Sequence, residues 1–202
     1  MMEIADFIDD FFPFLGEEKA APWQIISNIS KSIVALMGNL GQDYDISADH
    51  IAIHKSAIIE PNVMLKAPLI IGKNCFVGSN AYLRGGVLLQ ENVKVGPGCE
   101  IKSSIICSHS ALAHFNFIGD SIIGHHVNFE AGAIVANHYN ERENKSIFVW
   151  YNGQIIDTKT SKFGALVGDH SKIGANAVLS PGTILGKNAV VKRLELIAQI
   201  NE

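Results

Sequence analysis

The sequence predicts an all-β solenoid of short stacked strands with short helices at its ends, and three observations predict it. An aliphatic or small residue recurs every sixth position through eleven sites: Ile53, Ile59, Leu65, Ile71, Val77, Leu83, Leu89, Val95, Ile101, Cys107 and Ala113. A second small or branched residue follows four places on, as at Ala57, Val63, Leu69, Cys75 and Ala81. Gly, Asn, Ser, Asp and Lys fill much of the space between. A period of six is neither the 3.6 of a helix nor the 2 of an ordinary strand. It marks a repeat whose units bury their apolar faces only by stacking on one another.

Residues 1–43 lack the hexad and are expected to form a helical appendage. "EIADFIDDFFPFL" reads as a short helix ended near Pro13. "APWQIISNISKSIVALMGNLG" reads as a longer one, with Pro22 early in it and Gly41 after it. Isolated amphipathic helices of this size are marginal, so both are expected to pack on the solenoid or on a partner subunit. The solenoid itself is expected over 44–192. From Ala113 its spacing shortens to five twice, through Ile118 to Ile123, and then resumes as "IGHHVN" and "FEAGAI".

A break over 137–162 contains "SIFVWYNGQIIDT", in which strand formers flank Asn152-Gly153. That pair favours a type I′ turn, so a hairpin insertion is predicted, of a length that is often functional or interfacial. The hexads return as "VGDHSK", "IGANAV", "LSPGTI" and "LGKNAV". Residues 193–202 are expected to form a short C-terminal helix that caps the open end.

Composition sets limits. Hydrophobic residues make up 48% of the 202, yet no run approaches the length of a membrane-spanning helix. A net charge of −4 gives no reason to expect nucleic acid or an anionic membrane as partner. The acidic N-terminus lacks the basic region of a signal peptide. Cys75, Cys99 and Cys107 occupy apolar slots of the repeat and read as small buried groups in a reducing compartment. A cytoplasmic location is expected.

Lys66, Arg84 and Lys102 stand 18 residues apart, each just after a core position. In a coil of 18 residues the three cations stack in one column. Their repulsion is roughly 1 kcal/mol per neighbouring pair near a surface unless an anion lies against them. That leaves two readings, an anion subsite or a solvated edge.

The hexapeptides resemble those of the left-handed parallel β-helix family. More narrowly, "LRGGVLLQENVKVGPGCEIKSS" and "ALAHFNFIGDSIIGHHVNFEAGAIVANHYNERENKSI" resemble the acetyltransferase domain of bifunctional N-acetylglucosamine-1-phosphate uridyltransferase/glucosamine-1-phosphate acetyltransferases. They are similar also to the β-helix domain of related sugar-1-phosphate nucleotidyltransferase-like proteins. In that family an Arg precedes a Lys by 18 residues and the Lys precedes the catalytic His by 12. Arg84, Lys102 and His114 keep both intervals.

The resemblance implies an acetyl-CoA-dependent acyltransferase acting on an amino-sugar phosphate or nucleotide sugar. It would be a homotrimer with its active sites between subunits. His114 would be the general base, a role that suits the ordinary pKa of histidine. Asn137 would orient the reacting groups. Arg84, Lys102, Asn128 and Lys145 would hold the substrate, and Ala131, Lys192 and Arg193 would contact the CoA moiety. No metal is expected.

Phe117, Glu130 and His138 depart from the family's Tyr, Gly and Tyr, and an expected Ser falls near Asp169. The uridyltransferase half has no counterpart here, so no nucleotidyl transfer is expected, which leaves room for a separate nucleotidyltransferase partner.

Two alternatives stand. His109 and His114 resemble the histidine pair of γ-class carbonic anhydrases, but a zinc site needs a third histidine, and none falls around residues 70–80. A non-catalytic trimeric scaffold that binds sugar phosphates is the other. His125 and His126 occupy exposed hexad positions and read as solvated.

Overall fold

The computed structural model describes residues 2–11 and 20–200. Short parallel strands stack coil upon coil, three to a coil, and form three faces. The first is Ile58–Ile59, Phe76–Val77, Lys94–Val95, Ala111–Leu112, Asn128–Phe129, Lys172–Ile173 and Val190–Val191, here the groove face. The second, the ladder face, begins at Met64–Leu65. It continues through the first halves of Tyr82–Leu89 and Glu100–Ile106 to Phe117–Gly119, Ile134–Val135, Val178–Leu179 and Leu196–Ile197.

The third is built from Leu69–Ile71, the second halves of the same two long strands, Ile122–Ile123, Ala165–Val167 and Thr183–Leu185. Tyr82–Leu89 turns the corner between faces at a bulge after Arg84, where Gly85 and Gly86 adopt φ of 72° and 95°, a region open to glycine.

Inward residues form one continuous core: Ile71, Val77, Leu83, Leu89, Val95, Ile101, Ile106, Leu112, Ile118, Ile123, Phe129 and Val135. The five-residue steps therefore fall at 101–106 and 118–123: the second is where the spacing puts it, and the first comes before Ala113 instead of directly after it. Ile106 and Leu112 point inward in place of Cys107 and Ala113. Both frames offer apolar residues, and the larger side chains take the core, where they bury more area. Strand pairing shows the same step: Lys94 pairs with Ala111 and Ala111 with Asn128, 17 positions apart, whereas Phe76 and Lys94 are 18 apart.

The third face carries an outward column of Ala52, Ile70, Leu88, Ile105, Ile122, Leu166 and Ile184. The helix α1, Pro22–Met37, covers it with Trp23, Ile25, Ile26, Ile29, Ile33, Leu36 and Met37. Pro22 is the first helical residue, where a missing N–H costs nothing. The Gln24 side chain accepts from the Ala21 N–H at 2.9 Å. The helix ends at Gly38, three residues before the expected stop. Cys107 is buried in this second cluster; Cys75 and Cys99 are buried in the inner core.

Two expected helices are corrected. The N-terminal one is a single 3-10 turn, Ile4–Asp6. The Asp169 N–H donates to the Phe7 carbonyl at 2.9 Å, and the Asp9 N–H donates to Asp169 Oδ2 at 2.7 Å. The backbone is thus tied to the solenoid instead of continuing a helix. Pro13 lies outside the described residues. At the other end Leu196–Ile197 is a strand paired with Val178–Leu179. The sixfold spacing of Leu185, Val191 and Ile197 persists, and Gln199 closes the last coil with two 2.7 Å bonds to Ile184. Residues 201–202 are outside the description.

The insertion is an antiparallel hairpin, Phe148–Tyr151 with Gln154–Asp157, turning at Asn152 and Gly153 with φ of 48° and 77°. Val149 and Ile156 join the second cluster, while Trp150 and Ile155 face solvent. No helix among the described residues is long and apolar enough to cross a membrane.

Candidate active site

The cation column exists, and its counter-anions come from the chain itself. Arg84 and Lys102 are in register on neighbouring ladder-face strands. Lys66 follows Leu65, which pairs with Leu83, so Lys66 lies one coil below Arg84. Both Arg84 Nε and Nη2 contact Glu100 Oε1, at 2.7 and 2.6 Å. Lys102 Nζ lies 2.5 Å from Asp120 Oδ2. The ladder runs on upward: Asn137 Nδ2 donates to the same Asp120 oxygen, and Asn137 Oδ1 lies 3.1 Å from His138 Nδ1. Asp120 and Asn137 are each 7% exposed. A paired cation still offers unused N–H donors, but the ladder as a unit is close to neutral, not a bare anion trap.

The groove face gathers a second set. Asn128, Glu130, Lys172, Lys192 and Arg193 line a groove of about 620 Å³. Arg193 grips Glu130 with Nε on Oε2 and Nη2 on Oε1, both at 2.7 Å. Glu130 Oε2 also accepts from the Ala175 N–H at 2.9 Å. The Arg193 guanidinium and that N–H hold the Glu130 carboxyl down at about 2. Three cations against one carboxylate leave this groove positive.

His114 lies at the groove end of the ladder face, across Phe117–Gly119 from Asp120. It is exposed, in the turn joining groove-face Ala111–Leu112 to ladder-face Phe117–Gly119. Its carbonyl accepts from the Gly132 N–H of the coil above at 2.8 Å. Gly96, in the coil below, leaves room for this turn, since a methyl there would lie 2.0 Å from the Ala113 oxygen. Ala131, next to Gly132, falls on the same edge. Lys145 is exposed in the insertion and joins neither face.

Residues 47–156, more than half of the chain, match the GMPPB C-terminal domain family. The chain belongs to this family. Residues 165–192 match the hexapeptide repeat of succinyl-transferase, and the solenoid is a left-handed β-helix of such repeats. A bifunctional sugar-1-phosphate nucleotidylyltransferase/acetyltransferase of Sulfurisphaera tokodaii is 33% identical, over 83% of this chain and 42% of its own length. The bifunctional protein GlmU of Methanococcus maripaludis is 32% identical, over 84% and 41%. The chain thus spans about two fifths of the curated relatives it matches. A solved hexapeptide transferase family protein from Anaplasma phagocytophilum is 20% identical, covering 74% of this chain and 79% of its own, with a TM-score of 0.48.

In this GMPPB C-terminal domain, sequence intervals found the cations and His114 but missed the acids beside them. Asp120 stands 18 residues after Lys102, the same interval that links Lys66, Arg84 and Lys102, so a signal for it existed. Lys172 was missed because its place beside Asn128 depends on a 44-residue step across the hairpin.

The other histidines lie apart. His109, His126 and His170 stack with ring centroids 4.7 and 5.0 Å apart. Partial burial, then its two stacked neighbours, lowers the pKa of His126. His109 and His114 sit at opposite ends of Ala111–Leu112, so they do not converge. Among the described residues no group of three His, Cys, Asp or Glu is placed to hold a metal. Asp169, where a CoA-contacting Ser was expected, is 1% exposed and binds the N-terminal segment and the His125 N–H instead.

Proposed function

We propose that this domain transfers an acetyl group from acetyl-CoA to an amine or hydroxyl of a sugar phosphate or nucleotide sugar. The observation that carries the proposal is the place of His114, exposed at the corner between the groove face and the ladder face, with its backbone tied to Gly132 beside the positive groove. The relatives' printed names, which include acetyltransferase and sugar-1-phosphate chemistry, agree with it. In this reading the groove, with Asn128, Lys172, Lys192 and Arg193, takes the phosphates of CoA. Arg84 and Lys102 turn their unused donors to the acceptor's phosphate, and Asn137, bound at both ends of its amide, keeps the upper ladder rigid.

The neutral His114 imidazole takes the proton of the acceptor as its N or O attacks the thioester carbonyl. The new C–N or C–O bond forms, the C–S bond breaks, and the proton passes to the departing thiolate. In this reading ladder and groove, which lie on different faces, are completed by neighbouring copies in a homotrimer. Nucleotidyl transfer, named in the longer relatives, is assigned no residues of this chain.

Calorimetry with acetyl-CoA tests the reading, on wild type and His114→Ala, followed by a turnover assay with glucosamine 1-phosphate and other amino-sugar phosphates. Binding by both proteins and turnover by wild type alone is expected. Ligand binding without turnover on any acceptor would favour a trimeric sugar-phosphate-binding scaffold and overturn the enzyme.

A further inference from the structure

The top of the ladder holds an imidazole that the acyl-transfer reading does not use. His138 is exposed, and its Nδ1 lies 3.1 Å from Asn137 Oδ1. The Asn137 amide is fixed from the other side, because its Nδ2 donates to Asp120 Oδ2. Asp120 is in turn anchored: its N–H donates to the Lys102 carbonyl at 2.8 Å, and its carbonyl accepts from the Gly164 N–H at 2.9 Å. Gly119 leaves the space, since a methyl there would lie 2.9 Å from Asn137 Cβ, Cγ and Nδ2.

The donor and acceptor rules then decide the proton positions in order. A carboxylate only accepts, so it takes the amide's nitrogen end. The amide cannot turn over without placing its oxygen against Asp120. Its Oδ1 is therefore the atom that faces His138, and an amide oxygen only accepts. The neutral imidazole must carry its proton on Nδ1, which leaves Nε2 as a lone-pair acceptor.

We propose that Asp120 and Asn137 are positioning residues that hold His138 in its Nδ1–H form, and that His138 Nε2 binds a donor group, amine or hydroxyl, of the acyl acceptor. Phosphate oxygens, which lack a proton at neutral pH, are repelled by that lone pair, so the ladder sorts the acceptor's donor end from its phosphate end. The acceptor half of this inference rests on the acyl-transfer reading; the proton position does not.

The test has two arms. Long-range proton–nitrogen NMR on 15N-histidine-labelled protein reports the His138 tautomer without substrate, its signals assigned by their loss in His138→Ala. Wild type is expected to show the Nδ1–H form, and Asp120→Asn, whose amide no longer dictates the direction of Asn137, a shift toward Nε2–H. A wild-type His138 carrying its proton on Nε2 overturns the proposal, whether or not the variant folds.

The second arm is kinetic, with an amino-sugar phosphate that wild type acetylates. Loss of one hydrogen bond in His138→Ala should raise the acceptor KM about tenfold while leaving the acetyl-CoA KM unchanged. An unchanged acceptor KM overturns the binding role. If wild type acetylates nothing, the acyl-transfer reading fails and the acceptor half with it, and the NMR arm decides the rest.

Discussion

Arg193 and Glu130, 63 positions apart in sequence, meet fork to fork, two guanidinium nitrogens on two carboxylate oxygens at 2.7 Å each. The contact answers one departure from the family pattern, since Glu130 stands where the resemblance expects a Gly. The acid neutralises a cation that the resemblance assigns to CoA, which leaves Lys172 and Lys192 as the groove's cations with no ion pair among the described residues. An entering phosphate has to compete with Glu130 for Arg193.

That pair has a pH signature. The carboxyl is held at about 2 in the fold, against about 4.3 for an unperturbed glutamate. A depressed pKa contributes stability that is fully present above the unfolded value and is lost as pH falls through the folded one. Melting temperature should therefore drop between about pH 4.5 and 2 by more in wild type than in Glu130→Gln. Parallel curves for the two proteins over that range would show that the fork contributes nothing in solution.

His114→Ala should lower kcat by about 10²–10⁴ and leave the assembly intact. The imidazole is exposed, and the contact that fixes this turn is the backbone bond from Gly132, which alanine keeps. Steady-state rates beside a sedimentation measurement separate the two effects. Full activity in the variant would move the base elsewhere.

α1 gives a stability contrast one residue wide. Ile33 is 0% exposed against the solenoid, while its neighbour Val34 is 38% exposed. Ile33→Ala should cost about 2–5 kcal/mol in chemical denaturation. Val34→Ala should stay within about 0.5 kcal/mol of wild type. Equal effects would mean that the helix does not dock through this face.

The three thiols should be inert in the native protein. Burial pushes Cys75 up to about 11 and raises Cys99 and Cys107 as well. The thiolate is the reactive form, so a disulfide-exchange reagent at pH 8 should label none of them before denaturation and all three after it. Rapid labelling of any one would place it at the surface.

Much of the architecture was legible because a β-helix repeats its constraint: every sixth residue must fit the same interior. The phase of the repeat was less legible. Ile106 and Cys107, like Leu112 and Ala113, are both apolar, so only packing volume tells which points inward. The C-terminal strand was missed although Val191 and Ile197 keep the interval, because "RLELIAQI" also reads as helix when a single hexad remains. In the candidate site, Arg84, Lys102 and His114 were found by interval. Asp120 was hidden by polarity, an acid in a column sought for cations. The meeting of Asn128 with Lys192 and Arg193 could not be read before the 26 residues of the break, 137–162, were known to loop out.

The two five-residue steps act on this molecule as an edge dislocation acts on a crystal. Below Lys94 and above Lys172 the coils repeat by 18; the steps from Lys94 to Ala111 and from Ala111 to Asn128 are 17, and the next, to Lys172, spans the insertion. A column that crosses the fault changes its chemistry, so Arg84 is in register with Lys102, but Lys102 is in register with Gly119. Asp120 is thereby displaced sideways to meet the ammonium it neutralises. Uniform stacking by 18 would have set Asp120 squarely over Lys102. The fault puts Gly119 there and moves the acid one place along, where one carboxylate oxygen meets both the ammonium and the Asn137 amide.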